Sequence, residues 1–164
     1  MKYLLLVALI AAASGFVVLG ATPQCDLEWR YYEYTNSCYY QGDFQEFDGA
    51  EKACVNLGAH LASVHTNFEN SFIQSITESG EKQNQEGMTW IGLKYVNSKW
   101  TWTDGTPFTF SYWMKGAPSK PTKYGCAILM QDDYTHQKDV KNFWDSVECK
   151  NKERKYVCKK PANY

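Results

Sequence analysis

The stretch from Trp90 to Trp113, reading WIGLKYVNSKWTWTDGTPFTFSYW, limits what this chain can become more than any other. It gathers Trp90, Trp100, Trp102 and Trp113 with Phe108, Phe110 and Tyr112. An enclosed ring of this kind removes roughly 150 to 250 Å² from water, so the segment has to supply the centre of a core. Trp90-Ile91-Gly92-Leu93 and Trp100-Thr101-Trp102-Thr103 carry the close or alternating apolar residues of half-buried strands. Asp104-Gly105 follows at once and suits a turn with positive φ.

A chain of 164 residues, 44% hydrophobic and 21% charged, accommodates one globular domain and a small N-terminal addition. Met1-Lys2 precedes an apolar run from Tyr3 to Ala13, and small residues recur up to Gly20 and Ala21. This is the pattern of a secretory signal peptide over residues 1–21, leaving a mature domain over residues 22–164. An uncleaved membrane anchor fits less well, because only Lys2 flanks the run and Cys25 follows without a stalk. Export makes disulfides the default for the six cysteines, Cys25, Cys38, Cys54, Cys126, Cys149 and Cys158. No C-x-x-C pair is present, so neither a zinc site nor a redox motif is expected, and spacing alone does not choose the pairing. A net charge of −1 gives no reason to expect nucleic acid or an anionic membrane as partner. The basic cluster Lys150, Lys152, Arg154, Lys155, Lys159 and Lys160 reads as a solvated strand-and-tail surface.

Along the chain, Cys25 to Cys38 encloses Trp29, Tyr31, Tyr32 and Tyr34, an aromatic segment suited to a short clipped hairpin, and Tyr39-Tyr40 continues it as a strand. Asp48-Gly49-Ala50-Glu51 has the form of a capping box opening a first helix, with Ala50, Ala53, Cys54 and Leu57 on one face and Gly58 as C-terminal cap. Thr66-Asn67-Phe68-Glu69 repeats the capping signal, and Phe68, Phe72, Ile73 and Ile76 line a second helix. Residues 78–87 read as an exposed loop, and 115–123, with Gly116, Pro118 and Pro121, as irregular chain. Cys126 to Met130 is a buried strand, 131–142 a polar connection, and Phe143-Trp144 and Tyr156-Val157-Cys158 are further short strands. Helices early and strands late give an α+β domain.

A Cys-bearing helix running into Gly58-Ala59-His60-Leu61-Ala62-Ser63-Val64 precedes Trp90-Ile91-Gly92-Leu93 and Trp100-x-Trp102-x-Asp104-Gly105. Trp113, Gly116, Pro118, Cys126, Trp144, Cys149 and Tyr156-Val157-Cys158 follow. In this order they resemble the C-type lectin-like domain, over nearly the whole mature chain from Cys25 to Lys159. The resemblance implies two helices flanking two small antiparallel sheets, with a long loop region bearing the ligand site. It also implies three disulfides: Cys54 with Cys158, Cys126 with Cys149, and Cys25 with Cys38 as the additional bridge of long-form members.

Sugar-binding members of that family act through calcium, which takes about six to eight oxygen ligands. The family supplies them from a Glu-Pro-Asn or Gln-Pro-Asp triplet, a Glu two residues before the next core cysteine, and a Trp-Asn-Asp. The matching positions here are Ala117, Pro118, Ser119, Tyr124, Asp145 and Ser146, and Asp145 is the only carboxylate among them. No metal is therefore expected at this site; calcium is disfavoured, and Pro118 is a candidate for a cis peptide. Asp132, Asp133, His136 and Asp139 fit no calcium loop and read as a solvated connection. The histidines His60, His65 and His136 accompany no G-x-S-x-G or H-E-x-x-H, so an enzyme is not expected. The tryptophans read as core rather than stacking platforms, while Tyr124, replacing an acidic residue, belongs near the surface. The expected protein is a secreted, extracellular binding module. Its first reading is carbohydrate recognition with weak or absent calcium dependence, in the setting of innate defence. The alternative is a protein- or lipid-binding module on the same scaffold.

Overall fold

The computed structural model describes residues 22–84 and 87–164; the leader expected over residues 1–21 lies outside them. Strands β1 (Arg30–Tyr32) and β2 (Ser37–Gln45) form the expected hairpin around a single 3-10 turn at Glu33–Thr35. Helix α1 (Phe47–Asn56), strand β3 (His60–Leu61) and helix α2 (Asn67–Thr77) follow. Strands β4 (Thr89–Val96), β5 (Lys99–Trp102), β6 (Cys126–Leu129), β7 (Trp144–Val147) and β8 (Glu153–Pro161) complete the domain. Three disulfides join Cys25 to Cys38, Cys54 to Cys158 and Cys126 to Cys149, as the resemblance implies. The second spans 104 residues of chain, a closure worth roughly 4 to 5 kcal/mol in the chain-entropy account.

The strands run in the order β1-β2-β8-β4-β6-β7, with β3 on β8 and β5 on β4. The two antiparallel groups meet where β4 and β8 pair in parallel, Thr89 opposite Lys155 and Trp90 opposite Tyr156, so hydrogen bonding continues from one to the other. Both faces of the central strands are covered, which is why they read as nearly unbroken apolar runs. Trp90, Ile128 and Tyr156 pack with Phe47, Ala50 and Cys54 of α1 on one face. Ile91, Leu93, Leu129, Trp144 and Val157 pack with Ile73 and Ile76 of α2 on the other. Gly92 permits a close backbone approach: a Cβ there would stand 2.4 Å from the Leu61 carbonyl oxygen.

Several local expectations are corrected. Helix α1 begins at Phe47, capped by Glu46 without a side-chain bond, so Asp48-x-x-Glu51 is no capping box. Burial of Phe47 edge-on against Trp90, centroids 5.4 Å apart, draws it into the helix. Asp48 is left in the first turn, where its carboxylate receives the Lys94 ammonium at 2.6 Å. Leu57 is exposed, while Gly58 takes φ +70° just past the helix end as expected. In α2, Thr66 Oγ1 accepts from the Glu69 N–H at 3.1 Å, but Phe68 is exposed. The inward stripe is partly polar instead: Asn70 Oδ1 accepts from Trp144 Nε1 at 2.6 Å and Gln74 Nε2 donates to the Gln131 carbonyl at 2.8 Å.

The polar loops are not simply solvated. Asp132, only 4% exposed, accepts from Ser79 N at 3.0 Å, Ser79 Oγ at 2.8 Å and Gly80 N at 3.0 Å. Gln83 is buried, and Gln83 N donates to the Asp133 carbonyl at 2.9 Å. Backbone amides with no strand partner need such acceptors, and the acidic connection provides them. The C-terminal bases are offset one by one: Lys150 with Glu46 at 3.5 Å, Lys155 with Asp43 at 2.8 Å and Lys160 with Asp26 at 2.5 Å.

The Glu69 carboxylate, fully buried, ties α2 to the sheet by receiving Lys159 Nζ at 2.5 Å, Tyr39 Oη at 2.7 Å and His65 N at 2.8 Å. Removing it strands a partly buried ammonium and two further donors. Glu69→Ala is expected to lower stability by about 3 to 5 kcal/mol. Urea unfolding should show this as a lower midpoint with unchanged slope; a loss under about 1 kcal/mol would refute the role given to the carboxylate.

Candidate functional site

The chain between β5 and β6 carries most of the candidate residues past the edge of the sheet. Trp113 bridges to Trp144 of the edge strand β7, Trp144 N donating to the Tyr112 carbonyl at 2.8 Å and Met114 N to that of Trp144 at 2.9 Å. Beyond this bridge Gly116 adopts φ +91°, Ala117 N returns to the Met114 carbonyl at 3.0 Å, and the Ala117–Pro118 peptide is cis. Ser119 N then donates to Ser146 Oγ at 3.0 Å, which fastens the loop to β7. A turn in which Lys123 N and Tyr124 N both reach the Lys120 carbonyl, at 2.8 and 2.9 Å, brings the chain back to Cys126.

These constraints leave a cleft of about 410 Å³ lined by Ser119, Tyr124, Asp145, Ser146, Glu148 and Asn151 among others. Four of the six positions singled out from the sequence are thus brought together. Ala117 and Pro118 do not line it. Glu148 and Asn151 were not anticipated, nor was Lys123. The Lys123 ammonium donates to Tyr124 Oη at 3.2 Å, lies 4.8 Å from the centre of that ring, and pairs with Glu148 at 3.3 Å. The implied bridge from Cys126 to Cys149 brings the two segments together, but nothing in the spacing marks Lys123, three residues before Cys126, as the partner of Glu148.

The electrostatics follow from these neighbours. Burial pushes the Asp145 carboxyl above its ordinary 3.8, and the Ser146 N–H bonded to Oδ1 at 2.7 Å offsets this in part. Hydrogen bonds to Tyr124 and Glu148 hold the Lys123 ammonium above its ordinary 10.5. For a divalent ion the donor set is poor. Ala117 offers no side-chain oxygen, Ser146 Oγ already receives Ser119 N, and Tyr124 Oη faces an ammonium. Among the described residues no group of three or more His, Cys, Asp or Glu side chains is placed to hold a metal ion.

One cluster has the composition of a catalytic triad without its geometry. Ser63 Oγ donates to the Asp104 carboxylate, and His65 Nε2 lies 3.1 Å from the same hydroxyl. Ser63 is fully buried, so the hydroxyl cannot meet a substrate, and no base is oriented by the acid. Burial, then the nearby Lys159 charge, hold His65 below its ordinary 6.5. The cluster secures the Asp104-Gly105 turn, where Thr106 N also donates to Asp104 Oδ1 at 2.9 Å.

The raised Asp145 pKa has a consequence for stability. The folded state holds this proton more tightly than the unfolded chain, so stability falls as pH rises from about 3.8 through the higher folded value. Asp145→Asn keeps an acceptor for the Ser146 N–H and removes the desolvated charge. Its melting temperature should exceed that of the wild type at pH 7, with the gap closing towards pH 4. A gap that stays constant across this range would overturn the assignment.

A sequence model of the lectin C-type domain matches residues 44–160. Lectin BRA-3 of Megabalanus rosa is 29% identical over 164 residues, covering 93% of this chain and 91% of that protein. The galactose-specific lectin nattectin of Thalassophryne nattereri is 31% identical over 158 residues, covering 92% and 91%. Of some longer relatives the chain spans only 52% or 8%. Among solved structures, a calcium-independent type II antifreeze protein superposes with a TM-score of 0.71 at 28% identity, over 88% of this chain and 99% of that one.

Proposed function

The chain belongs to the C-type lectin domain family, and from that premise we propose that it is an extracellular carbohydrate-binding module whose recognition does not run through calcium. One observation carries the reading. The cleft beside the cis-proline loop keeps a polar lining of hydroxyls, an amide and carboxylates, while Lys123 puts an ammonium on Tyr124, where the family places a ligating carboxylate. A cation bonded there opposes a divalent ion by like charge and takes up an oxygen the ion would need.

A sugar needs less charge than calcium does. Its hydroxyls donate and accept at once, so they match Ser119, Asp145, Ser146 and Asn151, and its C–H faces pack on a ring such as Tyr124. The relatives bearing the word lectin in their names support a glycan ligand, and the calcium-independent antifreeze protein supports a scaffold that stands without the ion. Binding without catalysis agrees with the buried Ser63 hydroxyl. Secretion rests on the leader pattern at residues 1–21. A protein or lipid ligand is the competing reading and becomes an outcome of the same experiment.

Mature protein applied to a glycan array in calcium and in chelator should give the same binding pattern in both. Tyr124→Ala should weaken the best glycan about three- to tenfold, the range that one ring contact of about 0.5 to 1.5 kcal/mol allows. Binding abolished by chelator would restore the calcium mechanism. Absence of any glycan signal would turn the reading towards a protein or lipid partner.

A further inference from the structure

Both charged residues that line the cis-proline cleft are acids, Asp145 and Glu148. Their surroundings differ. Glu148 is exposed and already receives the Lys123 ammonium at 3.3 Å. Asp145 is acted on by burial and by the Ser146 N–H, with no cation beside it among the described residues. The cleft therefore holds one negative charge that nothing in the protein offsets.

That charge is within a ligand's reach. Only Oδ1 of Asp145 is engaged, by Ser146 N at 2.7 Å; Oδ2 bonds nothing, yet it is not among the enclosed polar atoms and stays open to solvent. The Asn151 side-chain amide, partly exposed, likewise bonds nothing and is likewise open. The Ser119 hydroxyl is exposed at the rim. A carboxylate drawn part-way out of water without a counter-charge is held at a cost, and a cation offsets that cost best. Calcium is a poor candidate, because it asks for about six to eight oxygens. An ammonium carries a single charge and three donors, so one carboxylate and two neutral oxygens complete it.

We propose that the ligand of this cleft is an amino sugar, a glycan bearing at least one free protonated amine, and that Asp145 Oδ2 receives its ammonium. The sugar hydroxyls are left to Ser119, Ser146 and Asn151, and the ring face to Tyr124. Charge separates the sugar classes. An anionic sugar meets two carboxylates and is repelled, while a neutral or N-acetylated one leaves Asp145 uncompensated. Lys123 does not oppose the amine as it opposes a divalent ion, since Glu148 already offsets its single charge. The inference rests on the carbohydrate reading of this cleft and adds to it the class of sugar.

The test is calorimetry at pH 6, where a sugar amine is protonated, with a short glucosamine oligomer and its fully N-acetylated counterpart. A lysine oligomer of the same charge is the third probe. The free-amine oligomer should bind about five- to tenfold more tightly than the acetylated one, as one charge-assisted hydrogen bond partly exposed to water allows. Asp145→Asn, which keeps the acceptor for the Ser146 N–H, should bring the two affinities to within about twofold of each other. Equal or tighter binding of the acetylated oligomer by the wild type would overturn the proposal. So would a preference that survives Asp145→Asn, which would place the counter-charge elsewhere. Equally tight binding of the lysine oligomer would overturn it in favour of a basic protein segment. Binding of other glycans with neither sugar oligomer bound would overturn the amino-sugar class and leave the carbohydrate reading standing. No glycan signal at all would overturn both.

Discussion

The burial of Trp144 is the constraint on which both sheet edge and site depend. Its indole N–H is held by Asn70 of α2, and its rings meet Trp102, Phe110 and Trp113 edge-on at 5.7 Å each. A strand places successive side chains on opposite faces, so fixing Trp144 towards α2 sends Asp145 to the other face, opposite Ile128. Because β7 ends the strand order, that face is not fully covered there, and the carboxylate lies at the boundary between core and cleft. Its raised pKa expresses this position: too enclosed to be well hydrated, and without a cation to compensate. The indole also fixes the loop, since the Trp113–Trp144 bridge sets where the chain enters the cis-proline turn.

How much of this was legible in the sequence depended on the range of the interaction. Trp90-Ile91-Gly92-Leu93 and the Cys126 run read correctly because their period is local, and Thr66 read correctly because its cap bond spans three residues. Asp48 misled because the local capping pattern competed with the burial of Phe47 against Trp90, a contact across the fold that won. The polar loops misled for the same reason in reverse. Asp132, Gln83 and Gln131 look like solvent-facing residues, and the backbone amides and carbonyls they satisfy come from segments tens of residues away. Composition shows that a residue is polar; it does not show whether its partner is water or a distant N–H.

The candidate site was legible in its positions and not in its charge. Ser119, Tyr124, Asp145 and Ser146 followed from matching the family's order of residues, and that order is itself a record of which strands end where. The Lys123–Tyr124–Glu148 contact was hidden because it joins two segments held together by the Cys126–Cys149 bridge, whose pairing came from the resemblance and not from spacing. An exposed ion pair of this kind contributes little to stability. Its consequence is local: it holds an ammonium on the Tyr124 hydroxyl and the Glu148 carboxylate at the rim of the cleft.

On the proposed reading, a site without calcium still has geometry to offer a ligand. With calcium, the ion supplies both the fixed geometry and the strong field that hold a sugar's hydroxyls. Without it, geometry must come from the chain, and here it does: a disulfide behind the rim, Ser119 N bonded to Ser146 Oγ, and the 112–114 segment paired along β7. Such preorganisation spares the ordering entropy that a mobile loop would lose on binding. On the calcium-independent reading the field is weaker, since hydroxyls and the Asp145 and Glu148 carboxylates would stand in place of a divalent charge, and each sugar contact would be held less firmly.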